Sequence, residues 1–179
     1  MSSNEVDEFF KAADEVARKA CEVRNWNRLN PLLKEMYSAR KGQGAFCNGK
    51  KLKCSSVKDL GQALVATEFG SQRDPEILDK KFRNMRSIIE KAHGIRTGGS
   101  AALGLCHVAC GRVDAFFESG MHVWDIAAGG LIVMEAGGVF LDTNGGAVDL
   151  MSRRVLCAGT NDLAQQIAKS TEIVEFERD

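Results

Sequence analysis

The run from Val123 to Gly138, Val-Trp-Asp-Ile-Ala-Ala-Gly-Gly-Leu-Ile-Val-Met-Glu-Ala-Gly-Gly, constrains this chain more than any other. From Ile126 to Ala136 it has no proline and a single charge. It closes on a double glycine whose first member can take the left-handed conformation that ends a helix. So apolar a helix belongs in the core of a layered α/β domain. Asp125 stands at its mouth and reads as the N-cap, its oxygen accepting from backbone N–H groups that have no partner inside the helix. An acid held there faces the positive end of the helix, where an anion or a metal–phosphate pair could sit beside it. A purely structural cap on a core helix would look the same.

The segments around this helix alternate strand with helix. Ala63 to Glu68 reads as a buried strand, and Asp74-Pro75-Glu76 opens a helix with a cap and a first-turn proline. Ile77, Leu78, Phe82, Met85, Ile88 and Ile89 give that helix an apolar face. Ile95 to Thr97 is a short strand, Ala101 to Cys110 a helix closed by Gly111, and Val113 to Glu118 a strand. Val139 to Asp142 and Arg154 to Ala158 are further strands, and Asn161-Asp162 caps a last helix. Upstream, Met36 to Ala39 and Ala45 to Cys47 form a hairpin, and Asn48-Gly49 is a strong turn signal into Lys50 to Cys54. At the amino terminus Val6, Phe9, Phe10, Ala13, Val16, Ala17 and Ala20 repeat at helical spacing. The stretch from Arg24 to Pro31 that follows has no clear periodicity. The domain reading is a helix plus junction over 1–29, a hairpin over 30–60 and an α/β domain over 61–179.

Composition limits the function classes. The 24 basic and 24 acidic residues cancel, and no basic stripe argues for nucleic acid. No apolar run approaches the ~18 residues a membrane span needs, and Met1 to Glu5 lacks the features of a signal peptide. The six cysteines have no framework spacing and read as reduced thiols of a cytoplasmic protein. Cys106 and Cys110 flank His107, but helical spacing points the histidine to another side and no second ligand pair exists, so zinc is set aside. Gly44 to Lys50 has the outline of a phosphate-binding loop. However, Lys51 stands where a magnesium-binding Ser or Thr is needed, and the setting is a hairpin.

Three features converge on one place. Gly98-Gly99-Ser100 joins a strand to a helix, and small residues there let an anion approach backbone N–H groups. Glu118 ends a strand, on the edge where open α/β sheets bind ligands. Asp125 follows closely in sequence. Together they suggest a pocket for a phosphorylated polyol.

These residues carry a family resemblance. Trp124-Asp125-Ile126-Ala127-Ala128-Gly129, continuing through Glu135-Ala136-Gly137-Gly138, resembles the second signature of the inositol monophosphatases. Met36 to Gly42, Gly44 to Gly49, His93 to Arg96 and Asp149 to Val155 match the same family. The resemblance implies a layered α/β sandwich of the inositol monophosphatase/fructose bisphosphatase type, with the amino-terminal sheet domain largely missing. It also implies a Mg2+-dependent, lithium-sensitive phosphomonoesterase that hydrolyses myo-inositol monophosphate. On that basis Asp125 is a catalytic metal ligand that also lies against substrate. Gly99, Ser100 and Ala101 match the segment that contacts substrate, and Glu118 matches the acid that bonds inositol hydroxyls. A homodimer, or a heterodimer with full-length subunits, is implied as well.

The family's first signature, Asp-Pro-(Ile/Leu)-Asp-Gly-Thr, and its upstream Gly-Glu-Glu do not occur in this chain. Asp74-Pro75 is the sole Asp-Pro, and it is a helix cap. The chain reads as an internally shortened form with its joint near Arg24 to Asn30. One carboxylate where the family uses several acids predicts impaired turnover, since positioning and charge stabilisation are most of such catalysis. The alternative is a non-catalytic isoform that acts as a subunit-interaction partner.

Overall fold

The computed structural model describes residues 34–179, and the helix read over 5–23 and the joint at 24–30 lie outside them. Strands β1 (Tyr37–Arg40), β2 (Gly44–Cys47) and β3 (Lys50–Lys51) form a small antiparallel sheet. Asn48 and Gly49, both at positive φ, make the turn between β2 and β3. A second sheet has five strands: β4 (Leu64–Thr67), β5 (Gly94–Arg96), β6 (Ala115–Ser119), β7 (Val139–Leu141) and β8 (Arg154–Ala158). Their order is β5-β4-β6-β8-β7, with β4 parallel to β5 and β6, while β8 runs antiparallel to both β6 and β7.

Helices cover both faces of this sheet. On one side α2 (Ala101–Ala109) and α3 (Val123–Glu135) bury Leu105, Val108, Ile126 and Val133 against Phe116. On the other, α1 (Pro75–Ile89) and α4 (Asn161–Ser170) bury Ile88, Leu163 and Ile167 against Phe117 and Leu156. The neighbouring residues Phe116 and Phe117 thus serve opposite cores, as strand alternation requires. Helix α3 is apolar on more than one side because it is sandwiched: the five-stranded sheet lies beneath it and β1 and β2 lie above. Two backbone N–H groups of the hairpin, at Gly42 and Gly44, donate to the Glu135 carboxylate at its carboxyl end, at 2.7 and 2.8 Å. The close approach of α2, α3 and the sheet depends on glycine. A Cβ on Gly104 would come within 2.5 Å of the Phe116 ring, and one on Gly129 within 2.6 Å of Leu105.

Three local expectations need correction. Asp125 is not the N-cap of α3. The helix starts at Val123 after His122, and Asp125, its third residue, reaches back so that Oδ2 accepts from His122 N at 3.1 Å. That is the carboxylate half of a capping box, which puts the acid one turn inside the helix rather than before it. The cap of α4 is Thr160, whose hydroxyl accepts from Leu163 N, rather than Asn161-Asp162. In α1 the buried positions are Lys81, Asn84 and Ile88, while Phe82 and Ile89 are more than half exposed. The helix is rolled because Asn84 exchanges two hydrogen bonds with the backbone of Glu172 and Lys81 Nζ donates to Phe69 O. Among the described residues no helix is long and apolar enough to cross a membrane.

Candidate active site

Parallel pairing of β4, β5 and β6 brings three strand ends to one edge of the sheet. Thr67 and Phe117 are paired in register, so Glu68, just past the end of β4, and Glu118 stand together at that edge. Glu118 is not the last strand residue, since β6 runs on to Ser119 and Glu118 pairs with Val155 of β8. The turn Gly98-Gly99-Ser100 follows β5 on the same edge. Glu68 ties the pieces together: its Oε1 accepts from Gly98 N and Gly99 N at 2.5 and 2.7 Å. Gly99 sits at φ +79, which a residue with a Cβ rarely adopts. Ser100 caps α2 through a bond from Leu103 N, and Ala101 is the first residue of that helix. The two glycine donors are therefore already engaged. An anion at this turn would meet the first-turn donors of Ala101 and Ala102, which have no acceptor within the helix.

Glu118 is 6% exposed, and its Oε2 is buried without a hydrogen-bond partner. Burial pushes its carboxyl up to about 7; Lys81 pulls against that rise, while the charges of Glu68 and Asp125 add to it. Asp125, half-buried at the mouth of α3, is thus an electrostatic neighbour of Glu118. A small cavity beside Glu118 is bounded by Thr67, Lys81, Asn84, Ser119 and Thr143. Among the described residues no three His, Cys, Asp or Glu side chains come together to hold a metal ion.

The comparisons with known proteins bear on this edge. A profile described as the inositol monophosphatase family matches residues 29–175. The chain belongs to the inositol monophosphatase family. It is 50% identical over 146 residues to inositol monophosphatase 1 of Rattus norvegicus, an alignment covering 81% of this chain and 53% of that one. It is 46% identical over 145 residues to inositol monophosphatase 2 of Homo sapiens, covering 80% and 50%. Among solved structures it resembles the extragenic suppressor protein SuhB of Bartonella henselae, with a TM-score of 0.72 and 32% identity, covering 79% of this chain and 54% of that one. An inositol monophosphatase from Anabaena gives 0.69 at 28% identity, covering 76% and 53%. The chain spans about half the length of the curated relatives it matches.

For a member of the inositol monophosphatase family, the edge holds Gly99, Ser100, Ala101, Glu118 and Asp125 within one neighbourhood. Three residues that shape it gave no sequence signal. In the sequence Glu68 is only the end of a strand, and its grip on the glycine turn depends on β4 lying beside β5. Lys81 falls on a helix face that periodicity assigned to solvent. Asp179 bonds His122 Nδ1 at 2.6 Å and Val123 N at 3.1 Å from 57 and 56 residues away.

Proposed function

We propose that this chain carries the polyol-recognising half of a phosphomonoesterase site acting on myo-inositol monophosphate, with hydrolysis impaired in this chain alone. The observation that carries the reading is the buried, unpartnered Oε2 of Glu118, with the charges of Asp125 and of Glu68, which holds the Gly98–Gly99 turn, close enough to act on that carboxyl. A buried carboxylate oxygen without a donor is costly, and the hydroxyl of a bound polyol would remove that cost. Glu118 accepts inositol hydroxyls, Ala101 and Ala102 at the start of α2 face the phosphate, and Gly99 with Ser100 keeps that approach open. Asp125 is fixed through one oxygen by His122 N, which orients the other.

The described residues do not by themselves make a resident metal site. Mg2+ prefers near-octahedral oxygen coordination and takes one or two carboxylates together with phosphate and water. Asp125 supplies one carboxylate, so turnover suffers where several acids would share the work. The test is phosphate release from myo-inositol 1-phosphate by the purified chain with Mg2+, beside calorimetric binding of the same ligand. Binding that weakens in Glu118→Gln, with turnover far below ~1 s⁻¹, supports the reading. Turnover of ordinary enzyme magnitude, abolished by Asp125→Asn, would overturn the impairment, and absence of binding would overturn the recognition.

A further inference from the structure

The mouth of α3 is held by a distant segment. After α4 the chain runs without regular structure from Glu172 to Asp179. Asn84 grips its start through both backbone groups of Glu172, and Val174 is 2% exposed. Phe176 lies against Gly120, where a Cβ would come within 2.8 Å of the ring. Lys81 and Arg153 stand over that ring, 5.5 and 5.3 Å from its centroid. Arg153 also donates to Gly120 O, Met121 O and Glu177 O, so one guanidinium ties the segment to the loop before α3. Arg178 pairs with Asp149, and Asp179 N donates to Met151 O at 3.2 Å. These contacts deliver the Asp179 side chain, 12% exposed, onto the first turn of α3.

Val123 is the first residue of α3, so its N–H has no acceptor within the helix and depends on one from elsewhere. Asp179 is that acceptor. Its Oδ2 takes Val123 N, and its Oδ1 meets His122 Nδ1, whose ring stacks on Trp124 at 4.6 Å and 12°. A carboxylate at the positive end of the helix is electrostatically favoured, and its bonds to donors there are charge-assisted.

We infer that Asp179 is a positioning residue: through the 172–179 strap it fixes the first turn of α3 and thereby sets the place of Asp125. Its value to the site rests on the phosphatase reading; the geometry it controls does not. The test uses the full chain in a Trp26→Phe background, so that Trp124 is the reporting indole. In Asp179→Asn, the Val123 amide exchanges its hydrogen about ten- to a hundredfold faster, the expected effect of losing a hydrogen bond to a charged acceptor. Trp124 emission shifts as the His122 stack loosens. Asp179→Glu recovers part of both effects, and Glu175→Gln, a charge removed from the exposed stretch of the same strap, changes neither. Throughout, the thermal midpoint and the exchange of β6 and β8 stay at wild-type values.

Unchanged Val123 exchange and Trp124 emission in Asp179→Asn would overturn the inference. A uniform rise in exchange across the sheet, with a lowered midpoint, would also overturn it, because Asp179 would then be acting on global stability. Binding of myo-inositol 1-phosphate is measured in parallel and is expected to weaken in Asp179→Asn. If the parent chain binds none, the phosphatase reading fails, and the exchange and emission results still decide the role of Asp179.

Discussion

Replacing Glu118 by glutamine isolates the electrostatic cost built into the sheet edge. The carboxyl ordinarily titrates at 4.5 and is pushed up to about 7 in the folded chain, chiefly by burial. Between those values the folded protein holds a proton that the unfolded chain has released, so stability falls as pH rises. The contribution is fully present below pH 4.5 and is lost as pH rises through 7. The span from 4.5 to about 7, at about 1.4 kcal/mol per pH unit, corresponds to about 3 kcal/mol. Glutamine keeps the shape and cannot ionise, so Glu118→Gln loses this dependence. Urea unfolding at pH 5, 6, 7 and 8 is the assay. Part of this is already lost at pH 5, so with a slope of about 2 kcal/mol per molar the variant's midpoint should gain about 1.2 M on the parent between pH 5 and pH 8. A parent–variant difference that stays constant across this range would refute the argument, because the carboxyl would then not be held protonated by its burial.

Three further outcomes follow from the packing. Gly129→Ala should lower stability by about 1–2 kcal/mol despite alanine's better helix propensity, since its Cβ meets Leu105 at 2.6 Å, and thermal unfolding reads this directly. Asp142, 2% exposed, accepts from Arg154, the Ser152 hydroxyl and Asn144 N. Asp142→Leu should cost about 3–5 kcal/mol, and pairing it with Arg154→Met should recover part of that loss in urea titrations. If the double variant is no more stable than the single one, the buried-charge account is wrong. Glu135→Ala removes the acceptor for Gly42 N and Gly44 N, so limited proteolysis should cut the β1–β2 turn faster, with a loss of about 1–3 kcal/mol.

Much of this protein is decided locally and was legible in its residues. Proline after Asp74, the Asn48-Gly49 turn and the left-handed Gly137 act through the backbone of a few adjacent residues, so they mark element ends without any tertiary information. The apolar run after Asp125 likewise fixed a core helix, and the signature around it fixed the family. Helix orientation was a different matter. Periodicity put Phe82 and Ile89 inward, but two side-chain-to-backbone networks around Lys81 and Asn84 outweighed the burial of those apolar groups, and their partners lie on distant segments. The site divides in the same way. Residue types pointed to the Gly99–Ser100 turn, Glu118 and Asp125, because small turns and acids near strand and helix ends follow local rules, and the family resemblance added Ala101. Parallel pairing of β4, β5 and β6 gathered them on one edge. It also set Glu68 on the glycine turn, buried one oxygen of Glu118 without a donor, and left the mouth of α3 to Asp179. Each of those is a contact between residues far apart in the chain, which only the folded arrangement can specify.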